Sequence, residues 1–220
     1  MTTPRLKPLG IFGGTFDPVH CGHMQLAADA CSGLGLDGVL WIPAGKPPHR
    51  DAPVVTPEQR LAMVALAIRG DPRFSLDDGE ARSADISYTV DTLLRLRKAN
   101  GTKPLVLLLG ADAFLGFSTW YRWREIFSLA HIGVATRPGY ALDIAQMDPE
   151  LREEYQRRID HDKSAITSQK ASRIVAFAIT PLDISASAIR VNITAGENVH
   201  DLLPPAVLDY IANNHLYLDN

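Results

Sequence analysis

The chain has 220 residues, of which 46% are hydrophobic and 21% charged, and its formal net charge is −3 at pH 7. This length suits one α/β domain with a sizeable core and is short for two. The small negative charge gives no electrostatic reason to expect nucleic acid or an anionic membrane surface as a partner.

Two further features of the sequence bear on location. Cys21 and Cys31 have no metal or redox spacing, which indicates a reducing compartment. No stretch approaches the ~20 apolar residues of a membrane helix, and the apolar run after residues 1–8 is too short for a signal peptide. We therefore expect a cytoplasmic protein with one domain over 1–220, on which a C-terminal helical part, about 185–220, is packed.

Short apolar runs alternate with segments of helical spacing along the chain. The runs predict strands at 9–12, 39–42, 74–76, 105–109, 132–135 and 174–179. Helices are expected around 20–31, at 56–70, 90–98, 119–129, 148–159 and 185–196, and after Pro205. The alternation implies right-handed crossovers, and apolar runs suit strands covered on both faces. The predicted fold class is α/β, a single Rossmann-like, doubly wound domain with a mainly parallel sheet.

The unusual motifs all come directly after predicted strands. They are the glycine loop at 13–23 and the stretches 43–50, 110–112, 137–139 and 184–190. In parallel sheets, ligands bind beyond the carboxyl ends of the strands, where the strand order reverses. We therefore expect these loops to converge on one site.

The glycine loop is the most informative of these motifs. Gly13 and Gly14 let the backbone approach a ligand closely, and the helix start that follows suits a phosphate. His20 and His23 are expected on one face of that helix, so the interpretation is a triphosphate cradle with two imidazoles directed at the reacting phosphorus. The alternative is a tight turn followed by a solvated or metal-binding histidine pair.

Two later stretches offer ligands for anions. Lys46, His49 and Arg50 lie in a proline-stiffened loop that is either a phosphate site or a solvated turn. Around the start of a predicted helix, Ser185, Ser187 and Arg190 indicate an anion site or an ordinary N-cap with a surface arginine.

Aromatic and hydroxyl side chains suggest where a planar group binds. Trp120 and Tyr121 can stack on a ring, whereas Trp123 suits core packing better. The stretch 87–89 opens a helix whose N–H groups can take a carboxylate, with plain capping as the alternative. Asp112 is a candidate for a ribose hydroxyl or a helix cap.

The string T-F-D-P-V-H-x-G-H at 15–23 resembles the signature of nucleotidyltransferases with a T/H-x-G-H box, and among them the nicotinate-nucleotide adenylyltransferases. Further matching stretches are 47–50, 87–89 with 91–93, 110–112, Trp120, 137–139 and 184–190, so the resemblance covers nearly the whole chain. The chain departs from the pattern at Ala44 and Gly45, where relatives often carry asparagines, and at Ala186 and Ala188.

The residues and the resemblance together assign site roles, with His20 and His23 as the catalytic pair. The ATP-binding set is Gly13, Gly14, Thr15, Phe16, His20, His23, Gly110, Asp112, Ile184, Ser185, Ser187 and Arg190. The set for the second substrate is Lys46, His49, Arg50, Ser87, Tyr88, Thr89, Trp120, Tyr121 and Arg137.

The resemblance implies an enzyme of NAD biosynthesis that joins ATP and nicotinate mononucleotide, releasing pyrophosphate by direct in-line attack on the α-phosphate. The attacking phosphate is already anionic, so alignment and positive charge matter more than a base. Mg²⁺ is expected on the polyphosphate, with no metal held by protein side chains alone. A histidine beside phosphates is expected to keep its proton.

Three alternatives stay open at this point. One is a related nucleotidyltransferase that uses nicotinamide mononucleotide or another phosphate acceptor. Another is an oxidoreductase, although Gly10, Gly13 and Gly14 lack the spacing of a dinucleotide fingerprint. The last is a nucleotide-sensing module without turnover. The sequence also leaves open whether the chain forms a homo-oligomer.

Overall fold

The computed structural model describes residues 7–48, 52–137 and 142–218. The strands are β1 (Leu9–Gly14), β2 (Gly38–Pro43), β3 (Phe74–Leu76), β4 (Leu105–Gly110), β5 (His131–Thr136) and β6 (Ile174–Ala178). The helices are α1 (Cys21–Leu34), α2 (Pro57–Ala67), α3 (Thr89–Asn100), α4 (Ala111–Leu115), α5 (Trp123–Leu129), α6 (Pro149–Arg158), α7 (Ala186–Thr194) and α8 (Pro205–Asn213).

The strands form one parallel sheet in the order β3-β2-β1-β4-β5-β6. Ile11 of β1 lies beside Leu40 of β2 on one side and Leu107 of β4 on the other. The order therefore reverses between β1 and β4, and the carboxyl ends of the strands share one edge. The prediction of a mainly parallel, Rossmann-like sheet is confirmed.

The apolar strands divide their side chains between two cores. In β4, Leu105, Leu107 and Leu109 face one core, and Val106 and Leu108 face the other. Residues of α3 to α6 line the first core, and residues of α1, α2, α7 and α8 line the second. The sheet is thus covered on both faces, which explains why its strands read as apolar runs rather than alternating ones.

The helix starts of α2, α6 and α7 carry side-chain caps. The Thr56 hydroxyl caps α2 by accepting from the N–H of Gln59 at 3.3 Å. In turn, the side-chain oxygen of Gln59 accepts from the Thr56 N–H at 3.0 Å. Ser185 caps α7 by accepting from the N–H of Ala188 at 3.2 Å. These caps satisfy backbone donors that would otherwise be unpaired at the helix ends.

The prediction of one helix over 119–129 is wrong. The helix α5 begins only at Trp123, and Arg122 before it has a left-handed backbone with φ of 53°. A short 3₁₀ turn, Phe117–Thr119, precedes this bend. Phe117 is buried and contacts both Trp120 and Trp123, so aromatic packing, rather than local helical spacing, determines the path of the chain here.

Two further features concern the whole described chain. Both Cys21 and Cys31 are free thiols. Within the three described ranges, no helix has the length and apolar character required to cross a membrane.

Candidate active site

The loop after β1 is anchored in the core by an aromatic ring. Phe16 is buried, has a left-handed φ of 52°, and packs against Phe12 and Trp41. A Cβ on Gly14 would lie 2.9 Å from the Phe16 ring, so only glycine leaves room for this arrangement. The anchor fixes the route of the loop between β1 and α1, at the point where the strand order reverses.

The two histidines come together at the start of α1, although not as two residues within one helix. The helix begins at Cys21, and His20 precedes it as the N-cap in an extended conformation. The backbone N–H of His20 donates to Nδ1 of His23 at 3.2 Å, and the two rings stack with their centroids 3.7 Å apart. The pairing that the spacing predicts is therefore achieved by cap geometry.

His20 is buried and its ring is incompletely bonded. It is 6% exposed, and its Nδ1 has no hydrogen-bond partner among the described residues. Burial lowers the pKa of His20 to about 4, so the ring is neutral in the free protein at neutral pH. The proton expected from the sequence is thus absent in the free protein, and negative charge nearby would raise the pKa of the imidazole. A buried ring nitrogen without a partner at a helix start is consistent with a ligand contact.

The C-terminal motif packs directly against this loop. The guanidinium of Arg190 in α7 donates to the carbonyl oxygen of Asp17 at 2.7 Å, across 173 positions of sequence, and to Oγ of Ser187 at 3.4 Å. The side chain of Ile184 lies 3.8 Å from where a Cβ on Gly22 would be. The first and last motifs of the sequence therefore meet, as their places after β1 and β6 predict.

Sequence reasoning missed one central side chain, Arg60 of α2. It is fully buried and donates to the carbonyl oxygens of Thr15 at 2.8 Å, Gly45 at 2.9 Å and Ala44. Burial lowers the pKa of this guanidinium. Arg60 thereby joins the loops after β1 and β2. The signal was available, because Arg60 has the same helical spacing as the buried Met63 and Val64.

The loop after β2 is bound to the segment before α3. Oγ of Ser87 accepts from the backbone N–H groups of Gly45 at 2.9 Å and Lys46 at 3.3 Å, and the Ser87 N–H donates to the Lys46 carbonyl at 3.0 Å. Ser87 therefore connects two loops instead of opening α3, whose N-cap is Tyr88. The Lys46 ammonium donates to the carbonyl of Ala84 at 2.6 Å. His49 and Arg50 lie outside the described residues.

The departure at Gly45 has a steric cause. A Cβ on this buried residue would lie 2.2 Å from the carbonyl oxygen of Glu80. No side chain fits there while the backbone around Glu80 keeps its position. An asparagine at position 45 would require the loop after β2 to move away from the segment around Glu80.

The aromatic residues of the second-substrate set also gather at this edge. The rings of Tyr88 and Tyr121 lie 4.5 Å apart, between the start of α3 and the bend before α5. Trp120 is partly buried against Phe117. Thr89 is the first residue of α3, which has no side-chain cap. Trp123 is buried in the core, as its expected packing role requires.

The remaining candidates follow the other central strands. Gly110 ends β4, Asp112 lies exposed in the first turn of α4, and Arg137 is exposed immediately after β5. They share the carboxyl edge of the sheet with the loops described above. Across the described ranges, no group of three or more His, Cys, Asp or Glu side chains is placed to hold a metal ion.

Comparison with known proteins identifies the family to which this chain belongs. Residues 11–192 match the model of the cytidylyltransferase-like family. The matched range runs from the middle of β1 almost to the end of α7, so it includes every motif that the structure brings to the carboxyl edge.

Similar proteins with more specific names define a group within this family. A "probable nicotinate-nucleotide adenylyltransferase" of Dechloromonas aromatica is 51% identical, with 96% of this chain and 98% of that protein covered. A protein of the same name from Chromobacterium violaceum is 44% identical, with 95% and 98% covered. This chain belongs to the cytidylyltransferase-like family and, within it, to the nicotinate-nucleotide adenylyltransferases.

A solved structure supports the fold independently of close sequence similarity. The nicotinic acid mononucleotide adenylyltransferase of Plasmodium falciparum, complexed with NaAD, superposes with a TM-score of 0.71 at 19% identity, covering 96% of this chain and 97% of that one. At this level of identity, the superposition bears on the fold alone.

Proposed function

We propose that the protein transfers the adenylyl group of ATP to nicotinate mononucleotide, giving nicotinate adenine dinucleotide and pyrophosphate. The observation that carries this proposal is the meeting of two distant motifs. Arg190 is hydrogen-bonded to the loop that ends in the buried, incompletely bonded His20. The names and high identity of the relatives support the choice of acceptor.

The reaction needs a pocket that collects positive charge. A phosphate oxygen of the mononucleotide forms a bond to the α-phosphorus of ATP, and the bond from that phosphorus to the bridging oxygen breaks, so its electron pair leaves with pyrophosphate. The attacking oxygen is anionic, so no general base is required. Alignment and preorganised donors supply the catalysis.

We assign those donors to the glycine loop and α7. His20, His23 and Arg190, with Thr15 and Ser187, surround the triphosphate in this proposal. The approach of the triphosphate would raise the pKa of His20 from its low value in the free protein, so that the imidazole binds as a cation. The charge would then develop only in the complex, where it is useful.

Mg²⁺ is proposed to enter with ATP, held by the phosphates rather than by a protein cage. Binding through phosphate oxygens agrees with the coordination of Mg²⁺, which prefers oxygen ligands and usually keeps several bound waters. The ion would offset charge on the polyphosphate when bound. Removal of Mg²⁺ with a chelator is therefore expected to abolish pyrophosphate release, and re-addition is expected to restore it.

The second substrate is proposed to bind between α3 and the bend before α5. The start of α3 offers backbone N–H groups without a side-chain cap, which suits the carboxylate of nicotinate. Thr89 is the candidate reader of that carboxylate, and Trp120 and Tyr121 supply aromatic surface for the ring. Adenosine is assigned to the neighbourhood of Gly110 and Asp112.

An acceptor panel tests the proposal. Pyrophosphate release from ATP would be measured with nicotinate mononucleotide, nicotinamide mononucleotide, phosphopantetheine and no acceptor. We expect release that depends on a mononucleotide, with higher kcat/KM for the acid than for the amide. Equal efficiency would remove the preference for the acid, and release driven only by phosphopantetheine would contradict the proposed function.

A further inference from the structure

We propose that Tyr217, in the segment after α8, is a positioning residue for the nucleotide site and acts through Asp17. The inference rests on the proposed function for the identity of the nucleotide. It adds the C-terminal segment to the framework that holds the glycine loop.

Asp17 is the residue through which this segment reaches the site. Asp17 is 5% exposed, and both oxygens of its carboxylate accept hydrogen bonds. Oδ1 accepts from the Tyr217 hydroxyl at 2.7 Å, across 200 positions of sequence, and Oδ2 accepts from the Val54 N–H at 2.7 Å. Buried carboxylates of this kind depend strongly on each donor.

The chain makes unusual backbone turns to deliver the phenol. His215 and Tyr217 both have left-handed backbones, with φ of 50° and 62°. Residues other than glycine adopt this conformation at a cost, so surrounding contacts must stabilise it. One such contact is the Thr194 hydroxyl, which donates to the Tyr217 carbonyl at 2.9 Å. Because Thr194 lies at the end of α7, the segment is fastened to the helix that carries Arg190.

The same short loop is held by two guanidiniums. Arg190 donates to the Asp17 carbonyl at 2.7 Å, and Arg60 donates to the Thr15 carbonyl at 2.8 Å. Burial and the Asp17 carboxylate raise the pKa of Tyr217, so the phenol keeps its proton and remains a donor. Tyr217 thus fixes the side chain of Asp17, and the backbone carbonyl of Asp17 orients Arg190.

The consequence concerns ATP rather than the acceptor. Without the phenol, the Asp17 side chain loses one of its two bonds, and the carbonyl that Arg190 contacts is less firmly placed. A displaced guanidinium binds the phosphates less well, and misplacement far from the reacting atoms is costly in such sites. The acceptor residues near α3 lie outside this set of contacts.

Tyr217→Phe tests the proposal because it removes a single oxygen from a buried ring. We expect the KM for ATP and the Kd for an α,β-methylene analogue of ATP to rise on the order of tenfold, with the KM for the mononucleotide unchanged. The Kd would be measured by calorimetry without acceptor. Tyr210→Phe in α8 is the matched control and should leave all three values unchanged.

A double-mutant cycle assigns the effect to Asp17. If Tyr217 acts through this carboxylate, Tyr217→Phe should have little further effect on the Kd in an Asp17→Ala background, where neither acceptor oxygen remains. Thr194→Val, which removes the bond to the Tyr217 carbonyl, should shift the Kd in the same direction but less. This variant decides the question if Tyr217→Phe does not fold.

Several results would overturn the inference. They are an unchanged Kd in Tyr217→Phe, an equal effect with and without the Asp17 carboxylate, or lower thermal stability with an unchanged KM for ATP. Failure of the proposed function looks different, because the wild type would then bind the analogue but release no pyrophosphate with nicotinate mononucleotide. The Kd comparison would still decide the role of Tyr217.

Discussion

At the scale of single residues, His20 carries the largest share of the proposed chemistry. It is buried, neutral when the protein is free, and stacked on His23 at the start of α1. A neutral imidazole costs less to bury than a charged one, and in the proposed mechanism it gains a proton when the triphosphate approaches. The positive charge would then be present only in the complex with ATP.

Replacing either histidine should lower turnover. We expect His20→Ala and His23→Ala each to reduce kcat by roughly 10²-fold, the scale for losing one donor to the transition state. The kcat for pyrophosphate release would be measured at saturating substrates. His161→Ala, at an exposed site, is the control. Full turnover in both variants would contradict the assigned role.

His131 gives a prediction about stability and pH. It is fully buried at the start of β5, where Nε2 bonds to the Gln169 carbonyl at 2.9 Å and Nδ1 accepts from the Arg173 N–H at 3.1 Å. The pKa of His131 is lowered to about 4, mainly by burial; the bond to Gln169 opposes this shift, and the positive charges of Arg97 and Arg173 contribute to it.

The unfolded chain therefore binds this proton more tightly than the folded one. The free energy of unfolding should be highest above pH 6.5 and decline as the pH falls towards 4, by up to about 3 kcal/mol from this group. His20 adds a decline of the same sign. In urea titrations, His131→Gln should show a shallower decline than the wild type. An identical pH dependence in the two proteins would exclude the proposed contribution.

At the scale of elements, side chains from α2 and from the segment before α3 join the loops of the candidate site. Arg60 bonds to carbonyls of the loops after β1 and β2, and Ser87 connects the loop after β2 to the start of α3. The glycine loop and Thr56 cap could be recognised locally, because their residues lie close together in sequence. For Arg60, helical spacing with Met63 and Val64 indicates burial, but the bonding partners could not be predicted, because they are 15, 16 and 45 positions away.

Loss of the Arg60 guanidinium should affect both substrates. Arg60→Met leaves several buried carbonyls with fewer donors, which we expect to cost about 3 kcal/mol of unfolding free energy. Both KM values should rise, since both loops lose a common support. Arg69→Met, at an exposed position after α2, is the control. Wild-type stability together with wild-type KM values would show that Arg60 does not hold the loops.

Gly45 and Gly33 provide a matched pair of substitutions. At Gly45 an added Cβ would lie 2.2 Å from a backbone oxygen, whereas at Gly33 in α1 its nearest neighbour is a Phe177 atom at an ordinary 3.6 Å. We expect Gly45→Ala to lower the free energy of unfolding by about 1–3 kcal/mol. Gly33→Ala should raise it by up to ~1 kcal/mol through helix propensity. Equal effects in urea titrations would contradict this account.

At the scale of the whole molecule, the fold brings the glycine loop after β1 together with α7 and the segment after α8. Apolar runs and turn residues predicted the strands, their parallel arrangement and the shared edge. They did not predict the bend at Arg122 or the bond from Tyr217 to Asp17. The bend results from aromatic packing around Phe117, and the bond results from contact between residues 200 positions apart. Patterns within a short stretch of sequence carry no information about such contacts.

The central claim is direct transfer of the adenylyl group from ATP to the mononucleotide. Its most direct test uses ATP carrying isotopic labels that make the α-phosphate chiral, with nicotinate mononucleotide as the acceptor. The account predicts that the label appears in the dinucleotide with inverted configuration, as one in-line displacement requires. Retention of configuration, label left on the protein, or label recovered only in AMP would contradict it.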